Sequence, residues 1–235
     1  MKTNLHYTSL FIALALIWAN AANADTAAGA DTTASANNGW SVKVGINQIT
    51  PHVTSGNMTA PALPGTKIDV GSDTQPIVSV SYAYDDHLAA ELVLGTPYKH
   101  NLIGAGSIAG VGTAGTVEAL PPTVFAQYRF LEAKASFRPY VGLGLTYAYF
   151  QKETGSGALT ALTNTGSTTP TTFKVDSAWG LSPQIGLLYA INEKWFADFN
   201  ITKTYLKTTA HYSTGQTIDI QLNPLSTSMA LGYHF

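Results

Sequence analysis

His211, Tyr212 and Ser213 are the residues whose types and spacing come nearest to bond-breaking chemistry. Alternate residues of a strand share a face, so the His211 imidazole could take a proton from the Ser213 hydroxyl and make it a nucleophile. The pair would still need an orienting acid, for which Asp219 and Glu153 are the candidates. HYSTGQT reads equally as a polar hairpin, and on that reading the chain has no catalytic residue. The other histidines offer less. His52 and His100 stand at the starts of long polar stretches, His87 in a short one and His234 beside the terminus. No HxH or HExxH spacing occurs, so no metal site is expected. The absence of cysteine excludes disulfides, zinc-thiolate sites and thiol nucleophiles. Gly104-Ala105-Gly106 opens no helix, so nothing cradles a phosphate, and no cofactor is expected.

With little chemistry on offer, the composition carries more weight. Charged residues are 11% of the 235, against about 25% in ordinary soluble domains. Aromatics also make up 11%, the hydrophobic fraction is 45%, and the formal net charge is -2. Such a chain is too apolar to be disordered and too poor in charge to clothe a soluble globule. It has no basic stripe for nucleic acid.

Residues 1–24 read as an export signal: Lys2, an apolar core at 10–18, then Ala22-Asn23-Ala24 as a small-x-small cleavage pattern. Nine apolar residues are too few to cross a bilayer as a helix, which takes about 20. Residues 25–39 are small and polar and read as a flexible leader. No later run is long enough for a membrane-spanning helix.

Period-2 alternation then recurs along the chain. Val141, Leu143, Leu145, Tyr147 and Tyr149 share one parity, with Gly142, Gly144, Thr146 and Ala148 on the other. Segments 179–189, 195–202 and 225–235 repeat the pattern, and 40–49, 75–84, 88–95 and 123–130 carry weaker versions. That makes eight candidate strands. Links after the second, fourth and sixth are short (85–87, 131–137, 192–194). Those after the first, third, fifth and seventh are long and rich in Gly, Thr and Ser (50–74, 96–116, 151–174 and about 208–217). A periplasmic β-sandwich has no reason to sort its loops in this way. An outer-membrane barrel does, with turns in the periplasm and loops outside. Trp40, Tyr84, Tyr147, Tyr149, Trp179, Tyr189, Trp195 and Tyr233 lie near strand ends, as interfacial girdles require. The expected fold is all-β: an eight-stranded antiparallel transmembrane β-barrel over 40–235, in the outer membrane of a Gram-negative bacterium and in contact with its lipids and lipopolysaccharide.

Several stretches also resemble the OmpW family of small outer-membrane proteins. They are Glu91-Leu92 with Thr96-Pro97-Tyr98-Lys99-His100, Leu120-Pro121-Pro122-Thr123, Phe137-Arg138-Pro139-Tyr140-Val141-Gly142, Asp176-Ser177-Ala178-Trp179-Gly180, Leu222-Asn223-Pro224 and the ending Gly232-Tyr233-His234-Phe235. Ala178 and Asn223 depart from the family's commoner pattern. The resemblance implies uptake of small hydrophobic compounds. Terminal Phe235 on an amphipathic strand looks like the signal read by the barrel-assembly machinery.

If the apolar parity faces lipid, Lys43, Asn47, Ser79, Ser81, Glu91, Gln127, Arg129, Arg138, Gln184, Asp198, Asn200 and Thr202 face inward. Eight strands enclose a space that side chains largely fill, which excludes a wide aqueous pore. Lys43, Glu91, Gln127, Arg129, Arg138, Gln184 and Asp198 are therefore expected to form a paired polar plug. Ile49, Ile77, Val93, Phe125 and Phe150 lie nearer the long loops and, with Thr202, are expected to line a passage for small hydrophobic solutes. Pro121 and Pro122 can donate no backbone hydrogen bond, so they mark a weak point in the wall through which such a solute would leave sideways. The competing readings are a structural or adhesive barrel without transport, and a lipid-modifying barrel enzyme using His211 and Ser213.

Overall fold

The computed structural model describes residues 39–235. The export signal expected at 1–24 and the leader expected at 25–39 lie outside the described residues, save Gly39, which begins the first strand.

In chain order the first strands are β1 (Gly39–Thr50), β2 (Thr54–Ser55), β3 (Thr66–Val70), β4 (Asp73–Ala83), β5 (Leu88–Gly95), β6 (Tyr98–Gly106), β7 (Thr113–Leu120), β8 (Thr123–Arg129) and β9 (Phe137–Gly155). There follow a short helix α1 (Gly157–Thr163) and β10 (Phe173–Val175), β11 (Ala178–Ala190), β12 (Trp195–Lys203), β13 (Lys207–Tyr212), β14 (Thr217–Gln221) and β15 (Leu225–His234). Strands β1, β4, β5, β8, β9, β11, β12 and β15 close into an antiparallel barrel. Lys43↔Gly232 and Val44↔Leu231 are among the pairs that join the first strand to the last, so no edge remains in the membrane.

Alternation decides which face of each strand meets lipid. Val44, Ile46, Leu143, Leu145, Ile185, Met229 and Leu231 are exposed on the outside, while their neighbours in sequence point inward. Aromatic pairs flank this apolar band, Trp195 with Tyr233 and Phe137 with Tyr189 at one end and Tyr147 with Trp179 at the other. Tyr189 lies ten positions after Trp179 on β11; at about 3.3 Å per step and a tilt of about 40° that covers about 25 Å, the height of such a band.

The short turns are built by polar side chains that cap free backbone N–H groups. The Asp85 carboxylate accepts from the N–H groups of His87 and Leu88, both at 2.7 Å, and Asn192 Oδ1 accepts from those of Lys194 and Trp195, both at 2.9 Å.

The four long links are not plain loops. Each carries elements of its own, and together they raise a rim above the barrel. Strand β9 continues past the apolar band to Gly155, pairing with β8 below and β7 above, and β6 and β3 extend that wall. A second sheet, in the order β10-β13-β14-β2, stands among the same links. Thr66, Ile68 and Val70 of β3 and Tyr98, His100 and Leu102 of β6 turn inward at alternate positions. The alternation that makes the barrel therefore continues above it, in runs shortened by Gly and Pro. The inner faces of the rim bury Ile68, Leu102, Val117, Phe173, Tyr212 and Ile218 together.

Candidate functional site

The floor of the lumen is filled from the short-turn end. Tyr140, Leu188 and Phe196 pack together there. The rings of Tyr140 and Phe196 lie flat over Gly186 and Gly232, where a Cβ would come within 2.3 and 2.2 Å of them. Gly186 thus lets the Tyr140 hydroxyl reach Asp198 and donate to Oδ1 at 2.9 Å.

Above this floor lies a network of charged and polar side chains. Lys43 on β1 meets Glu91 on β5 at 2.7 Å and also bonds Asp198 on β12. Gln127 donates to Glu91 at 2.6 Å and to Gln184 at 3.0 Å, and Gln184 donates to Thr202 at 3.2 Å. The Lys43 ammonium thus lies between two buried carboxylates, with the Gln127 amide as a further donor to Glu91 and the Tyr140 hydroxyl as a further donor to Asp198. Arg129 is also buried, but among the described residues its Nε has no hydrogen-bond partner and it makes no ion pair. Arg138 stands apart at the short-turn end and donates to the backbone carbonyls of Asp86 and Leu131. The expected plug is therefore paired through Lys43 alone, not through all three bases.

Two cavities lie above the network. The lower, of about 90 Å³, touches Lys43, Ser79 and Asp198 below and Ile49, Ile77, Val93 and Phe125 above. Tyr98 leans over it from the rim, held where Asn47 donates to its hydroxyl at 2.8 Å. The upper cavity, of about 70 Å³, lies within the rim and has an almost wholly apolar wall that includes Ile68, Val70, Leu102, Phe150 and Ile220. Ile49, Pro121, Ala148, Leu206 and Pro224 touch both cavities. An apolar space thus continues from the rim into the barrel and stops on the polar network.

Beside the junction of the two cavities the wall loses its ladder. Val93↔Thr123 is the last pair between β5 and β8, and pairing resumes only at Tyr98↔Ala119 between β6 and β7. Between these pairs, residues 94–97 face 120–122 with no register pair. Pro121 and Pro122 have no N–H to offer there. On the opposite side the wall stays closed, since the Pro122 carbonyl accepts from the Tyr147 N–H at 3.0 Å. A chain of hydroxyls leads inward from this edge. Thr123 donates to the Pro121 carbonyl at 3.1 Å, Thr146 lies 2.8 Å from Thr123, Ser182 2.6 Å from Thr146, and Thr204 2.9 Å from Ser182.

Ile49, Ile77, Val93 and Phe125 thus line the lower cavity, and Ile49 the upper one too. Phe150 lines the upper cavity and not the lower, and Thr202 lines the lower cavity while accepting from Gln184 of the polar network. Ile68 and Leu102 sit in links whose sequence reads as loops, and Val117 and Ile220 fall between such a link and the next strand of the barrel, so none of the four stands out as a site candidate. The inward alternation of TKIDV and YKHNL was the available signal. His211 and Ser213 are not engaged with each other. His211 Nε2 lies 3.0 Å from Asp176, both being well exposed, and the Ser213 hydroxyl accepts from the Thr172 N–H at 3.1 Å.

The OmpW family profile matches residues 37–235. The outer membrane protein W of Vibrio cholerae is 32% identical over 198 residues, which are 83% of this chain and 87% of that protein. A Pseudomonas aeruginosa protein named for a dibenzothiophene metabolism operon, PahQ, is 25% identical over 83% of this chain and 88% of its own length. The crystal structure of the outer membrane protein OprG from Pseudomonas aeruginosa superposes with a TM-score of 0.75 at 25% identity, covering 85% of this chain and 97% of that one.

Proposed function

The chain belongs to the OmpW family, whose members are outer-membrane proteins, and from that premise we propose that it passes small, largely apolar molecules from outside through the rim and upper lumen, releasing them sideways into the bilayer. The observation that carries this reading is the unladdered stretch of wall at Pro121-Pro122, which borders both cavities above a closed polar network. An apolar molecule gains by leaving water for the apolar rim. It would lose that gain by displacing the Lys43, Glu91 and Asp198 network, whose charges have no other partner of comparable quality. The gap is the route past which no ion pair must break. A relative named for dibenzothiophene metabolism agrees with an aromatic or other apolar cargo. No catalytic group enters this reading, since the His211 and Ser213 side chains are turned to other partners.

The test is solute influx into vesicles whose outer leaflet carries lipopolysaccharide, which slows passage through the lipid itself. Wild-type protein should raise the influx of small aromatic and aliphatic compounds above that of protein-free vesicles. Val93→Arg, which puts a long cation beside the gap, should fold, as shown by a heat-dependent gel shift, and return influx to the protein-free rate. Wild-type influx no faster than the lipid background would overturn the reading.

A further inference from the structure

Ser79 is a buried polar residue of the lower cavity that the network leaves over. It is 3% exposed, its side chain faces the lumen, and its Oγ has no hydrogen-bond partner among the described residues. Its neighbours are all engaged. Lys43, its register partner on β1, is held by Glu91 and Asp198. Asn47 donates to Tyr98 and accepts from Ser228 at 2.8 Å. Thr123 and Thr146 are consumed in the hydroxyl chain. On its other side Ser79 pairs in register with Val93, the apolar residue next to the gap. A buried hydroxyl with no partner is costly, and alanine would fill the same space without that cost.

We infer that the Ser79 hydroxyl is the contact for the head of the transported molecule, and that the cargo class is an apolar body bearing one uncharged hydrogen-bonding group, such as an alcohol, phenol or ketone. This inference rests on the passage proposed above and narrows its cargo. The body occupies the apolar wall formed by Ile77, Val93 and Phe125, and the head completes Ser79, which can both donate and accept. The head is uncharged because the surroundings offer an ion no advantage. Lys43 already serves both Glu91 and Asp198, so a carboxylate would lie beside two carboxylates whose one ammonium is shared. An ammonium would lie beside Lys43. A pure hydrocarbon fits the wall but leaves Ser79 unpaired.

The experiment compares p-cresol, p-xylene and p-toluate, which keep one body and change only the head from hydroxyl to methyl to carboxylate. Full-length protein in lipid nanodiscs is titrated with each, the backbone amide signals of Ser79 and Val93 are followed by NMR, and empty nanodiscs correct for partition into lipid. Wild-type protein should hold p-cresol about three- to tenfold more tightly than p-xylene, the worth of one hydrogen bond in a buried site, and p-toluate least. Ser79→Ala should bring p-cresol down to the p-xylene affinity without weakening p-xylene, and Ser79→Thr, which keeps a hydroxyl, should preserve the preference. A heat-dependent gel shift reports that both variants fold. Equal affinities for p-cresol and p-xylene in wild-type protein, or an unchanged preference in Ser79→Ala, would overturn the head site while vesicle influx of p-xylene still supports the passage. Binding of none of the three probes would overturn both.

Discussion

Val93 of β5 stands opposite Thr123 of β8 in the last register pair before the barrel wall loses its ladder. Val93 lines the lower cavity, and Thr123 donates to the Pro121 carbonyl at the edge of the gap and begins a hydroxyl chain that ends on Thr204. The same rung continues the other way through Ser79 to Lys43. One inward-facing row thus runs from the charged network, past an unsatisfied hydroxyl and an apolar side chain, to the stretch of wall without register pairs.

Restoring the missing donors should let the ladder continue across that stretch and close the proposed exit. Replacing Pro121 and Pro122 together with valine supplies two backbone N–H groups and a β-favouring side chain at each position. The double variant should keep its heat-dependent gel shift and slow the influx of apolar solutes into vesicles. Wild-type influx through a folded double variant would place the exit elsewhere.

Removing the shared cation should cost more stability than removing the whole charged set. Lys43→Met leaves Glu91 and Asp198 buried without their ion-pair partner and should lose about 3–5 kcal/mol in urea unfolding from lipid vesicles. Adding Glu91→Gln and Asp198→Asn to Lys43→Met should recover much of that loss. A triple variant no more stable than the single one would mean that the hydrogen bonds, not the charges, hold the network.

The two faces of the barrel should tolerate charge differently. Leu143 is 55% exposed on the outer face, and Leu143→Arg should cost about 2–4 kcal/mol near the middle of the bilayer. Thr202→Lys points into a lumen that already holds charges, and the loss should be smaller in the same unfolding assay.

The rim should loosen on acidification. His100 lines the apolar upper cavity with Nδ1 2.7 Å from the Gly71 carbonyl. Burial pushes its pKa below the ordinary 6.5, against the opposing pull of the Gly71 carbonyl and of Asp73. The folded state therefore binds fewer protons than the unfolded one between the two pKa values. Its stabilisation is complete above the ordinary value and is lost as pH falls towards the folded one. Amide exchange in β6 should speed up as pH is lowered below about 6.5, after correction for the intrinsic pH dependence of exchange. His100→Phe, which cannot be protonated, should remove that additional change.

The barrel was legible in the sequence because its physics is local. A bilayer demands an apolar residue at every second position, so Val141, Leu143 and Leu145 name their strand and their face without reference to any partner. The same parity set Lys43, Glu91, Gln127 and Asp198 inside. The rim was less legible, because the runs around Ile68, Leu102 and Ile220 are short and broken by Gly and Pro. A run of five residues has too few repeats of the pattern to stand out from a polar loop.

Strand order, the face each residue takes, and the supply of charge and missing N–H groups are therefore written in the chain. Which of them meet depends on how the barrel closes. Lys43 finds Asp198, 155 residues away, because closure carries β1 past β15 to within reach of β12. Arg138, inward by the same parity, ends on backbone carbonyls beyond that network. The gap at Pro121-Pro122 needs prolines, but it also needs β5 to end and β6 to begin opposite them, which depends on register across strands. Parity is a property of each strand alone, whereas pairing and height in the lumen arise only when all eight are joined in register.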